Sequence, residues 1–242
     1  MINPEIFSIN VNQNSESLTN NRTSYTVGKT EILLISACIL LLIVVKSFNI
    51  DFVLADQIYQ LTNWDLKYAF WTETIMHKGA RYLVIVIFLF LIYSLFEMYR
   101  NQADKQNIYD LTVVLISVVL CVASIAILKQ IFDADCPWDL LRYGGDKPFF
   151  SLFEYSETSL TSKHCFPASH AGIGYSGIVF FYYLKVNNHH LKNKALLFGI
   201  TLGVVFGVVQ QLRGAHFISH DISSFLVCLL ILTGVYKLAY RG

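Results

Sequence analysis

Three short stretches of this chain hold the residue types that could do chemistry: Lys129 with Cys136-Pro137, Pro167-Ala168-Ser169-His170, and Arg213-Gly214-Ala215-His216, followed closely by His220-Asp221. A lysine and an arginine neutralise oxyanions. An imidazole both moves protons near neutral pH and attacks electrophiles. Together these groups suit phosphoryl transfer, which asks a protein mainly for positioning and charge stabilisation. Each stretch also has a plainer reading on its own. Lys129 ends an apolar run and reads as a snorkelling lysine. Ser169-His170 reads as a capping serine beside an interfacial histidine, and the third stretch as a polar hairpin.

The details favour chemistry once the stretches are taken together. Pro137 stops a helix and re-aims the chain after Lys129. Pro167 suits the first turn of a helix, where free N–H groups attract anions, and His170 sits in that turn. Gln210, Arg213, His216 and His220 follow one another at intervals of three, three and four residues. If helical, they share one face. Four polar groups on one face beside hydrocarbon are costly without a function. Asp221 adjoins His220, and an acid beside a histidine fixes its tautomer for nucleophilic attack.

The elements that must position these residues are apolar. The chain has 242 residues, of which 55% are hydrophobic and only 14% charged; soluble domains carry about 25% charged residues. The mean hydropathy is +0.50. Its net charge of +1 gives no bulk attraction to nucleic acid. Six apolar runs stand out, at about 32–45, 82–96, 111–128, 171–184, 195–209 and 222–238. Flanking Tyr, Lys and Arg extend the shorter ones into the interface. The expected fold is all-α: a six-transmembrane-helix bundle in one membrane domain, residues 29–242. Residues 1–28, rich in Asn, Ser and Thr, read as a flexible polar tail without the cationic start and apolar stretch of a signal peptide. The first span then acts as an uncleaved signal and anchor.

The loop between the fourth and fifth runs, 185–194, carries three lysines and no acid. With Arg100 and Lys105 after the second run, and Lys237 and Arg241 at the end, the positive-inside rule places these segments and both termini in the cytoplasm. Lys plus Arg totals are equal on the two sides, so the assignment rests on local density and low acid content. The other loops then face outward, and all three chemical stretches lie at that face. The first outer loop, 49–81, has apolar and aromatic residues at mixed spacing, including Phe52, Leu54, Ile58, Trp64 and Trp71, and reads as one or two interfacial helices. The second, 133–163, contains the turn signal Gly144-Gly145 and the acids Asp135, Asp139, Glu154 and Glu157.

With these residues in place, the chain resembles the type 2 phosphatidic acid phosphatase superfamily of membrane enzymes. That family's pattern is Lys-x6-Arg-Pro, Pro-Ser-Gly-His, and Ser-Arg-x5-His-x3-Asp. Here Lys129 and Pro137 are kept while Cys136 stands in the arginine position. Pro167 and His170 are kept. Counted from His216, the family arginine falls on Gln210 and the family aspartate on His220, with Arg213 and Asp221 nearby. The phrases Cys136-Pro137-Trp138-Asp139-Leu140 and Arg213-Gly214-Ala215-His216-Phe217 look like a distinct bacterial branch. The resemblance implies that His216 attacks phosphorus, that His170 protonates the leaving oxygen and then activates water, and that Lys129 neutralises the non-bridging oxygens, with Ser169 beside them. Arg213 and Arg142 are the cations available to replace the two missing arginines. Either His220 or Asp221 orients His216; His220 has the better helical spacing, but Asp221 is the better acceptor and is preferred. No metal or other cofactor is expected.

Two cysteines belong to the outer face. Cys38, Cys121 and Cys228 lie inside apolar runs as small packing residues. Cys136 and Cys165 lie in outer segments, where an oxidising periplasm permits a disulfide. It would join the chain just after Lys129 to the chain just before His170.

The resulting expectation is an integral phosphatase of the bacterial inner membrane. Its expected substrate is a phosphorylated lipid in the bilayer: phosphatidic acid, phosphatidylglycerol phosphate, an isoprenyl pyrophosphate or lipid A phosphate. A phosphotransferase with the same site is the near alternative. A non-catalytic transport protein keeping the fold is the distant one, favoured by Gln210 and Cys136 and disfavoured by charges placed at span ends rather than mid-span.

Overall fold

The structure is a computed structural model that describes residues 24–132, 134–150 and 164–241. Residues 1–23 of the expected polar tail, and the part of the second outer loop that holds Glu154 and Glu157, lie outside the described residues. Within them the order is α1 (Lys29–Ser47), α2 (Ile50–Thr62), a π-helical segment (Trp71–Gly79) that runs directly into α3 (Ala80–Arg100), α4 (Lys105–Ile131), α5 (Ser169–Ser176), α6 (Val179–Val186), α7 (Lys192–Leu212) and α8 (Ile218–Ala239). The architecture is all-helical, as expected.

Among the described residues, five helices are long and apolar enough to cross a membrane: α1, the continuous Trp71–Arg100 helix, α4, α7 and α8. They fit an integral, multi-pass membrane protein. Their outward faces are bare hydrocarbon: Leu83, Val86, Leu89 and Phe90 of α3 are each 58–62% exposed. In water such a surface would drive aggregation, whereas a bilayer solvates it.

Two elements differ from the apolar runs of the sequence. The fourth run is divided into α5 and α6, eight residues each. The N–H groups of Gly177 and Ile178 bond three residues back, to Gly174 (3.1 Å) and Tyr175 (3.0 Å), which tightens the turn between them. Neither piece alone has the roughly 20 residues of a span. The second run begins earlier than its apolar residues suggest. Helix starts at Trp71, and the Ala80 N–H reaches back five residues to the Ile75 carbonyl. The buried Thr72 hydroxyl bonds to the Leu66 and Ala69 carbonyls and so pins this start.

The core lies where α5 and α6 meet α4, α7 and α8, with Ile125, Ala171, Ile178, Tyr182 and Leu232 closed off from solvent. Hydrophobic attraction between helices is weak in lipid, so close backbone approach must do more of the work. Gly199, Gly203 and Gly207 form a stripe along α7. A Cβ on Gly174 of α5 would stand 2.6 Å from the Gly203 Cα, and one on Gly203 would enter the Tyr175 ring. These glycines seat α5, which carries His170, directly on α7.

The first outer loop is folded onto the α7–α8 hairpin. The Asp51 carboxylate of α2 accepts from the Ser219 N–H at the start of α8 (3.0 Å). A second small core of Ala55, Trp64, Leu140, Tyr143 and Phe217 holds α2 there. Gly214 takes a left-handed turn (φ +73°), and its missing side chain makes room for the Trp64 ring.

Candidate active site

Four helix ends bring the three chemical stretches together. Lys129 sits in the last turn of α4 and donates to the His164 carbonyl (2.6 Å). The next residue, Cys165, takes its backbone bond from the other arm of the loop, donating to the Ala134 carbonyl (2.8 Å). Cys165 and Cys136 form a disulfide with a Cα–Cα distance of 5.3 Å, in the ordinary range. The chain then enters α5, whose first two residues are Ser169 and His170. The Ala168 N–H bonds to the His220 carbonyl (3.3 Å), and the Ser224 hydroxyl bonds to the carbonyls of Ala168 (2.9 Å) and His220 (3.0 Å). The start of α5 and the first turn of α8 are thus fastened to each other.

His216 lies in the turn before α8, buried, with its ring edge-on to His220 at 5.7 Å between centroids. Among the described residues its Nδ1 has no hydrogen-bond partner, and neither has the buried Nε2 of His170. Burial first, and then the repulsion that His220, Lys129 and His170 exert when charged, hold the His216 imidazole well below the usual histidine range. It is therefore neutral near pH 7. His220 places Nδ1 3.0 Å from the Cys165 carbonyl. A carbonyl only accepts, so Nδ1 carries the proton and Nε2 keeps its lone pair.

Asp221 faces elsewhere. Its Oδ2 accepts from the Gln211 side chain, and its carboxylate occupies the space left by Gly207. One residue along a helix turns the side chain by about 100°. That rotation keeps His220 beside His216 and sends Asp221 into the α7–α8 interface. His220, not the better acceptor Asp221, is the neighbour of His216 here.

The two expected replacement cations are both engaged. Arg142 is exposed and held in a two-pronged pair with Asp56, its Nε at 2.7 Å, and Tyr143 donates to the same carboxylate (2.9 Å). Arg213 is buried. Its Nε and Nη2 donate to the Lys67 carbonyl (3.3 and 3.2 Å), Nη1 to Gln210 Oε1 (3.1 Å), and Nη2 also pairs with Glu73. Lys78 binds the other oxygen of that carboxylate at 3.0 Å.

Glu73 introduces the part of the site that motif reading missed. The π-helical segment places its His77 ring flat against His170, with centroids 4.0 Å apart and planes 23° apart. His77 Nδ1 lies 3.0 Å from Gln210 Nε2. A signal was present in the sequence: His77-Lys78-Gly79-Ala80-Arg81 opens an apolar run at its N-terminal end, as His170 does.

The profile of the PAP2 superfamily matches residues 110–241, more than half of the chain. No curated protein and no solved structure matches it. The matched stretch contains Lys129, His170, His216 and His220, while α1, α2, the π-helical segment and α3 precede it. The order of these groups along the chain, their meeting at the ends of α4, α5 and α8, and the profile match agree: this chain belongs to the PAP2 superfamily, whose members are phosphatases.

Proposed function

We propose that the protein hydrolyses a phosphomonoester or pyrophosphate of a lipid at the periplasmic face of the bacterial inner membrane. The observation that carries this reading is the convergence of His216, His220, His170 and Lys129, with ring nitrogens of His216 and His170 buried and unpartnered. A neutral His216 attacks phosphorus in line with the leaving oxygen. The P–O bond breaks as the N–P bond forms, and His170, protonated beside the bound anionic substrate, gives its proton to the departing oxygen, that of an alkoxide from a monoester or of a phosphate from a pyrophosphate. His170, now neutral, takes a proton from water, whose oxygen displaces His216 and yields inorganic phosphate. Lys129 and Ser169 stabilise the charge on the non-bridging oxygens. His220 orients His216, and Asp221 holds α8 against α7. No step passes through a metal.

In this reading α5 and α6 together make a sixth crossing, both termini lie in the cytoplasm, and α2 lies along the outer interface. The Cys136–Cys165 disulfide supports an oxidising compartment for that face. Transfer of the phosphoryl group to a second lipid instead of water would use the same residues.

Purified protein should release phosphate from a lipid-phosphate panel, and His216→Ala and His170→Ala should abolish release. Full activity of His216→Ala would end this mechanism. The fixed Nδ1–H of His220 supports a second reading, in which its free Nε2 is the nucleophile. Trapping the phosphoenzyme and mapping the acid-labile phosphate to residue 216 or residue 220 separates the two.

A further inference from the structure

The family motif supplies three cations to a phosphoryl group, and this chain has lost two of them, at Cys136 and Gln210. The expected substitutes are committed: Arg142 to Asp56, and Arg213 to Glu73, Gln210 and the Lys67 carbonyl. Lys78 is held by Glu73. One more guanidinium stands at this end of the bundle. Arg81 opens α3 one helical turn after His77, so the two side chains leave the same face. Arg81 is exposed and has no hydrogen bond or ion pair among the described residues. Its charge acts on both His77 and His170.

His77 is set up as a donor beside it. Arg213 has only N–H groups to offer, so Gln210 must turn its carbonyl oxygen toward Nη1. The Gln210 amide N–H then faces His77, and Nδ1 must accept it. The His77 proton therefore resides on Nε2, which has no partner among the described residues. The Gln210 side chain that replaces the family arginine thus fixes the tautomer of a histidine stacked on His170.

We propose that the start of α3 completes the anion site: Arg81 supplies the guanidinium missing from Cys136 and Gln210, and His77 donates its Nε2–H to the same phosphoryl group. The proposal rests on the phosphatase reading above and adds two substrate-contacting residues that lie before the PAP2 match. The plain alternative is an arginine that merely snorkels at the interface.

Orthovanadate binding by full-length protein in detergent, read by thermal shift and by inhibition of phosphate release, tests it. Arg81→Gln should weaken orthovanadate binding and raise the lipid-phosphate KM by about tenfold to a hundredfold, the range for a hydrogen bond to a charged group. Arg81→Lys should recover part of the loss, because charge returns without the fork. His77→Phe keeps the stack on His170 but loses the donor, and should also weaken orthovanadate binding; His77→Gln should restore part of it. The unliganded unfolding temperature of Arg81→Gln should equal that of wild type. If wild type is active, His216→Ala is inactive, and Arg81→Gln binds orthovanadate like wild type, this inference alone falls. If wild type neither releases phosphate nor binds orthovanadate, the phosphatase reading falls with it.

Discussion

His216 shows how burial sets reactivity at a single residue. Its pKa lies below the ordinary histidine value of about 6.5 because the protonated ring would be desolvated and would face Lys129, His220 and His170. In the proposed mechanism the neutral ring is the nucleophile, so activity should persist as pH falls through 6.5 and be lost only on the acid side of it. The acid limb of kcat/KM, recorded against pH, should therefore lie below about 6.5. Lys129→Gln removes one repelling charge, so it should move that limb upward as well as lower the plateau. An unmoved limb would show that the titrating group is not His216. Lys129, His170, His216 and His220 were legible from residue type and order. The partner of His216 was less so, because Asp221 is the stronger acceptor on paper and only the helical rotation decides which neighbour reaches the ring.

Elements decide how closely those residues can meet. Gly203 of α7 lies under the Tyr175 ring, next to Gly174 on the helix that begins at Ser169-His170. Gly203→Ala should push α5 off α7, costing about 1–3 kcal/mol as an overpacked contact. It should lower both the unfolding temperature in detergent and the rate of phosphate release, through displacement of His170. The disulfide acts between elements too. It closes a segment with a sequence separation of 29, and the loop-entropy relation gives about 3–4 kcal/mol for that length. Reduction, or Cys136→Ser with Cys165→Ser, should lower thermal stability accordingly, and an unchanged unfolding temperature would contradict the pairing. Cys136 and Cys165 could be matched from the sequence because both fall in segments expected to face outward, away from the three cysteines inside apolar runs. The π-helical segment could not be found that way. Its winding departs from the 3.6-residue period that marks amphipathic helices, and Trp71, Thr72, Glu73 and His77 interrupt the apolar run rather than extend it.

For the whole molecule, the apolar runs of the sequence mark the long helices, and the exposed leucines, valines and phenylalanines of α3 give them a lipid-facing surface. The division of 169–186 into α5 and α6 was invisible in composition, since Gly177 differs little from the glycines that α7 carries inside an unbroken helix. The proposed topology, read from the charge pattern, has the C-terminus in the cytoplasm. A reporter active only in the periplasm should stay silent when fused after Arg241 and respond when placed between α1 and the Trp71–Arg100 helix; the reverse would invert the assignment. That long helix also measures depth. Arg81 and Arg100 are 19 residues apart, about 29 Å at 1.5 Å per residue, and the hydrocarbon layer is about 30 Å thick. A helix of this length set across a bilayer would place the two guanidiniums at its two boundaries. In the proposed reading Arg81 then stands at the height where a lipid carries its phosphate, and a lipid substrate would be dephosphorylated without lifting its tails out of the leaflet.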